Sequence, residues 1–191
     1  MAGRAYLTTV ETAWRRRAAY YAVPWRGKWA TELGGTLVSH AIHAHDLVYH
    51  VLGPARSVSA RLATLVNPTE SEDCVSASLE MADGSLCSLS VTMGSAAEIS
   101  RHRFCFENLS AESNTAPEEL LRGFVPLPEG FAGQFYRFHE ALASGSELPV
   151  TLIEARQALE LITALYHSAR ARQPVTLPIP ADHPLYGGWR P

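Results

Sequence analysis

Apolar residues recur with two periods along this chain. Alternation with a period of two marks residues 57–66, 74–81, 85–93 and 99–108 as strands: Val58, Ala60 and Leu62 share one face of the first, and Cys87, Leu89 and Val91 oppose Leu86, Ser88 and Ser90 in the third. The Ala-Asp-Gly stretch at 82–84 reads as a hairpin turn. An earlier strand over 5–14, rich in β-branched and aromatic residues, runs into a loop over 15–29 that Pro24 and Gly27 break. Helical spacing appears three times. The first helix spans 36–52, with Gly34 and Gly35 before it, Thr36 as its N-cap, and Gly53 and Pro54 to stop it. The second spans 134–143, carries Phe135, Phe138, His139 and Leu142, and ends at Ser144, Gly145 and Ser146. The third spans 152–170 and places Ala155, Leu159, Ile162 and Tyr166 on one face. A Pro- and Gly-rich connection covers 117–130, and a short strand over 175–179 closes the chain.

Consecutive strands joined by hairpin-length connections predict an α+β fold: a large, mostly antiparallel open β-sheet with helices packed on one face. Residues 1–191 read as a single domain. A hydrophobic fraction of 47% with 18% charged residues belongs to a folded globular chain. A formal net charge of -3 supplies no basic field for a nucleic acid. No long apolar run predicts a membrane span, and the first six residues are too short and polar for a signal peptide, so the expected setting is cytoplasmic. Cys74, Cys87 and Cys105 form no C-x-x-C pair and read as buried free thiols in strands. Neither G-x-G-x-x-G nor G-x-x-x-x-G-K-[ST] occurs, so this chain has no Rossmann domain and no cofactor-binding residues of its own.

Chemistry concentrates in GGTLVSHAIHAHDLVYHVLG at 34–53, which holds four of the eight histidines. At about 100° per residue, Ser39, His43, Asp46 and His50 share one narrow helical face, with His40 at its margin and His45 pointing elsewhere. Spacing alone leaves three readings open. The blandest is a histidine satisfied by a neighbouring carboxylate. A second gathers His40, His43, Asp46 and His50 around a zinc ion, although no short metal signature is present. The third is proton transfer: an imidazole titrating near neutrality takes a substrate hydroxyl proton while hydride leaves for a cofactor, and Asp46 orients it or favours its charged form. The loop over 15–29 adds Tyr20, Tyr21, Trp25, Trp29, four arginines and Lys28. Of these, Tyr20, Tyr21 and Arg26 are the substrate-binding candidates, since phenols and a guanidinium hydrogen-bond a polyol or a carboxylate, whereas tryptophan contributes a flat apolar wall.

The run YYAVPWRGKWATELGGTLVSHAIHAHDLVYHVLGPARSVSA resembles the C-terminal domain of the glucose-fructose oxidoreductase, inositol dehydrogenase and MocA (Gfo/Idh/MocA) family. The closing QFYRFHEALASGSELPVTLIEARQALELITALYHSARARQPVTLPI resembles that family's final helix pair and V-x-L-P strand. The resemblance implies a sheet domain like the C-terminal domains of dihydrodipicolinate reductase or glyceraldehyde-phosphate dehydrogenase. It implies an oxidoreductase using NAD or NADP, bound mainly by a separate N-terminal domain, on a sugar, cyclitol or related polyol. It further implies a homodimer or homotetramer packed through the sheet. By motif, His43 falls on the family's proton-transfer histidine and Asp46 on the aspartate of the same H-x-x-D. Ser39 stands where the family commonly carries Asp or Asn to touch substrate hydroxyls. Ala41 replaces a frequent glycine, and Leu33 interrupts the usual triple glycine. The family's catalytic lysine lies in a Glu-Lys-Pro turn of the preceding domain; Lys28, the single lysine here, does not match it. The chain starts where the family's second domain starts, which points to an expressed domain or a truncated gene product that is inactive alone. The alternative is a non-enzymatic domain that dimerises or binds a small polar ligand.

Overall fold

The computed structural model describes residues 2–113 and 130–189. Seven strands among them form one sheet: β1 (Ala5–Arg15), β2 (Ala55–Ala63), β3 (Cys74–Met81), β4 (Leu86–Thr92), β5 (Gly94–Phe106), β6 (Ser110–Glu112) and β7 (Val175–Thr176), in the order β6-β5-β1-β4-β3-β2-β7. All neighbours pair antiparallel except β1 and β4, which run parallel because β1 inserts between β4 and β5. The predicted mostly antiparallel sheet is therefore present, with one parallel seam that hairpin spacing cannot signal. The strand predicted over 99–108 begins earlier, at Gly94, and the short edge strand β6 carries no alternation long enough to detect. Most of the connection predicted over 117–130 lies outside the described residues.

The alternation predicted from sequence sorts the two sheet faces. Ala60, Ala77, Leu89, Val10 and His102 lie in register across one face, and all but His102 are buried beneath the helices. One residue along, Ser59, Ser78, Ser88 and Thr9 form the matching row of the opposite face, which presents short hydroxyl side chains. Covering the apolar face are α3 (Thr36–Ser39), α4 (Ile42–Leu52) and α6 (Leu152–Ala171). Two short helices, α1 (Ala18–Tyr21) and α2 (Trp29–Glu32), shape the loop, and α5 (Gly130–Ser144) keeps Phe131, Phe135 and Leu142 more than half exposed.

Helix α6 starts with a reciprocal capping box between Thr151 and Glu154. Its buried stripe is Ala158, Leu161, Ile162, Leu165 and Tyr166. Ala155 and Leu159, predicted for that stripe, are exposed instead: the helix packs on a face rotated from the one the spacing suggested. Ser168 ties it to the sheet, its Oγ accepting from the Ala60 amide and donating to the Gln173 carbonyl. The 36–52 helix is also corrected. It is two helices broken at His40 and Ala41, and Thr36 is no N-cap: Gly35 holds that position, while the Thr36 hydroxyl is buried without a partner.

Burial separates the two ends of α6 energetically. Leu165→Ala, which empties a fully buried position, is expected to cost about 2–5 kcal/mol by urea denaturation. Leu152→Ala, at a position 88% exposed, is expected to stay within about 0.5 kcal/mol.

Candidate active site

On the N-terminal side of the break between α3 and α4 the chain is clamped. Glu72 is buried, and its carboxylate accepts from the amides of Gly35 (3.1 Å) and Leu37 (3.0 Å) and from the Tyr166 hydroxyl (2.8 Å). Its backbone carbonyl accepts from the Thr36 amide at 3.0 Å. Burial pushes the carboxyl upward and the donors oppose that shift, whereas burial and the carboxylate push the Tyr166 phenol well up, so Tyr166 remains the donor. This close approach requires glycine at position 35: a Cβ there would sit 2.0 Å from the Glu72 carbonyl oxygen.

Around the break the loop assembles a cluster. Strand β1 delivers Trp14, Arg16 follows directly after it, α1 delivers Tyr20, the following turn delivers Arg26, α3 delivers Ser39 and the break delivers His40. The His40 ring lies 2.7 Å from Ser39 Oγ through Nδ1 and 3.3 Å from the Tyr20 hydroxyl through Nε2. Trp14 meets it edge-on, with ring centroids 5.6 Å apart. Arg26 donates to the Tyr20 hydroxyl and stacks over the Tyr20 ring at 3.8 Å, with Glu32 Oε1 at 4.0 Å. Arg16 sits over both Trp14 and Tyr20 and pairs with Glu98 at 2.8 Å. Burial, then Arg16 and Arg26, lowers the His40 pKa to about 4, so the ring is neutral at ordinary pH. Tyr21 packs edge-on against Tyr20, and burial with Asp73 and Glu32 nearby pushes its phenol up to about 12.

The remaining predicted residues lie elsewhere on the same segment. His43 and Asp46 are on the exposed side of α4, as is His50, so the predicted H-x-x-D face is real, but Ser39 belongs to the preceding helix. Among the described residues no hydrogen bond or ion pair joins His43 to Asp46. The zinc set is not gathered, because both nitrogens of His40 are engaged behind the break. Among the described residues no three His, Cys, Asp or Glu side chains are placed to hold a metal ion. His45 turns inward, fully buried, with neither ring nitrogen hydrogen-bonded; burial and nearby His102 lower its pKa to about 4. Sequence reasoning missed Glu72, Trp14 and Arg16, and left His40 at the margin. A separate cavity of about 450 Å³, between Leu159 and Thr163 of α6 and Tyr186 and Trp189 near the end of the chain, contains none of the predicted site residues.

Two histidines with depressed pKa values carry a stability consequence. Between about 6.5 and about 4, the unfolded chain binds protons at positions 40 and 45 that the folded chain refuses. Stability should therefore fall as the pH drops through that window, and urea midpoints measured across it should show the fall. His45→Leu should flatten part of the slope.

Comparison with known proteins places this geometry. Residues 2–110 match the family model described as GFO/IDH/MocA C-terminal domain. No curated protein matches the chain. Among solved structures, the WlbA dehydrogenase from Bordetella pertussis, in complex with NADH and UDP-GlcNAcA, is 29% identical with a TM-score of 0.80, over 94% of this chain and 56% of that one. The WlbA dehydrogenase from Chromobacterium violaceum, with the same two ligands, is 28% identical with a TM-score of 0.80 over 94% and 56%. Levoglucosan dehydrogenase, in complex with NADH and levoglucosan, is 18% identical with a TM-score of 0.74 over 93% and 59%, a likeness of fold. The chain thus spans little more than half the length of these proteins.

Proposed function

The chain belongs to the GFO/IDH/MocA family as its C-terminal domain, and we propose that it is the substrate-binding half of an NAD(P)-dependent oxidoreductase acting on a sugar, cyclitol or related polyol. The observation that carries this reading is His43 with Asp46 three residues on, both exposed on α4, the helix that directly follows Ser39 and His40 of the cluster with Tyr20 and Arg26. A proton-handling imidazole must meet its substrate, and of the four histidines in this segment His40 and His45 are buried. In oxidation His43 takes the hydroxyl proton as the C–H hydride departs, with Asp46 on the same exposed side of α4. In reduction His43 returns that proton to the alkoxide. Bound nicotinamide supplies the hydride chemistry.

This chain has no Gly-rich dinucleotide turn. In this reading residues 1–191 are one substrate-binding and oligomerisation domain, and a nucleotide-binding domain supplies the cofactor and the family's lysine. The WlbA structures, solved with NADH, are consistent with that division. Loop 15–29 carries five cationic residues and no acidic one in a chain of net charge -3. Such a loop suits an acidic or phosphate-bearing sugar, the class to which the WlbA ligand belongs. Self-association into a dimer or tetramer is assigned to the open sheet face with its register-matched row of Ser59, Ser78, Ser88 and Thr9. A cytoplasmic setting goes with Cys74, Cys87 and Cys105 as free thiols. Among the described residues no helix is long and apolar enough to cross a membrane.

The test is turnover by the intact two-domain protein on a panel of UDP-GlcNAcA, levoglucosan and myo-inositol with NAD and NADP. His43→Asn is expected to lower kcat by about 10²–10⁴-fold with KM within a few-fold, and unchanged kcat removes His43 from proton transfer. The chain by itself is expected to give no NADH fluorescence change at micromolar concentrations. Micromolar binding would overturn the division of labour, and no turnover on any sugar would favour a non-enzymatic binding module.

A further inference from the structure

The two ends of the hydrogen-bond chain through His40 have fixed polarity. At one end Ser39 Oγ lies 2.8 Å from the Gly35 carbonyl, which only accepts, so the serine proton is committed there. Ser39 Oγ must then accept from His40, 2.7 Å away, which puts a proton on Nδ1. At the other end Arg26, which only donates, gives a proton to the Tyr20 oxygen. The imidazole is largely buried with the guanidiniums of Arg16 and Arg26 nearby and is neutral, so its second nitrogen is bare and accepts the Tyr20 O–H. Among the described residues no other hydrogen bond reaches the ring: Trp14 Nε1 donates to Ser100, and Arg16 Nη1 donates to Glu98 and the Arg15 carbonyl. Two fixed ends and one neutral ring give a single consistent direction, Tyr20 to His40 to Ser39 to Gly35.

After this accounting the Tyr20 and Ser39 oxygens have no proton left to offer, and each keeps one lone pair. We infer that His40 is a positioning residue that sets the polarity of the site, so that Tyr20 and Ser39 meet the substrate as acceptors and read the hydrogens of its hydroxyl groups. This rests on the sugar reading above and narrows it. A carbonyl, ether or carboxylate oxygen at this point would face lone pairs, so the group recognised here is a hydroxyl that stays a hydroxyl through the reaction. The reacting oxygen belongs at His43 instead. The anionic part of a substrate belongs with the cationic side chains of the loop.

Two measurements decide it. In the nitrogen-15-labelled chain, long-range proton–nitrogen correlation is expected to show His40 in the Nδ1–H form at neutral pH; the Nε2–H form or the imidazolium overturns the inference. In the intact two-domain protein, the best sugar of the panel is compared with its monodeoxyfluoro analogues, in which fluorine removes the hydrogen. One analogue altered at a non-reacting carbon is expected to raise KM about tenfold with kcat held within a few-fold. Tyr20→Phe should erase that difference, and His40→Phe, which frees the Tyr20 proton, should shrink it. Equal KM values for every analogue overturn the inference while leaving the dehydrogenase reading intact. Absence of any turnover sinks that reading instead, and the tautomer measurement on the chain still decides the polarity.

Discussion

One buried carboxylate holds the site together. Glu72 arrives from the β2–β3 connection and meets the amides at the start of α3 and the Tyr166 hydroxyl from α6, so three parts of the chain far apart in sequence converge on one side chain. An ionised carboxylate away from water is costly unless its lone pairs are filled, and here amide and phenol donors fill them. The arrangement also dictates its neighbours. Gly35 must lack a side chain because the Glu72 carbonyl occupies the space, and Tyr166 must stay protonated because its hydrogen is the bond. Behind Tyr166 the clamp extends through Trp29, at 5.5 Å, and Trp189, stacked at 5.8 Å. Trp189 in turn donates to the Leu33 carbonyl just before the two glycines. The turn that launches Ser39 and His40 is thus gripped from both sides.

The break between α3 and α4 gives three neighbouring histidines different physical fates. His40, at the break, is largely buried with two arginines nearby and made a neutral relay of hydrogen-bond direction. His43, one turn later, is on the solvent side of α4, where an imidazole keeps access to protons and to a ligand. His45 faces the sheet and His102, with no partner for either nitrogen. A continuous helix would have put Ser39 and His43 on one face and left His40 at its edge. With the break, Ser39 instead works with His40 against Tyr20 and Arg26.

How much of this was legible in the sequence differs by length scale. Alternation in 57–66, 74–81 and 85–93 located strands and assigned their faces because side-chain direction in a strand is set by position alone. The parallel seam between β1 and β4 was hidden, since strand order depends on which edges meet in space. In the helices, spacing found α6 but misplaced its buried stripe: Leu159 is apolar and points to a cavity rather than to the sheet. The break at His40 and Ala41 was illegible for a better reason. No residue there is a helix breaker, so local propensity carries no signal of it. Tyr20 and Arg26 were singled out by residue chemistry and Ser39 by helical spacing and the family resemblance, and the three meet around His40. Tyr21 is packed beside them, whereas His43 and Asp46 stand on the next helix.

The exposure of His43 and Asp46 follows from what this domain contributes. A proton-transfer group works best when water is excluded and reacting atoms are held in contact, yet α4 offers these side chains to solvent. The surfaces left open on this chain answer that tension in physical terms. The hydroxyl-lined sheet face, the apolar side of α5 with Phe131 and Phe135, and the cationic loop are distinct in chemistry and call for different neighbours. Of these the loop supplies Tyr20 and Arg26 to the His40 cluster, and in the proposed reading it is the side from which a completing domain approaches. The clamp at Glu72 holds the start of α3, from whose end Ser39 reaches the His40 cluster. The domain brings a hydrogen-bond pattern around His40, and in the proposed reading cover and a hydride carrier come from another domain.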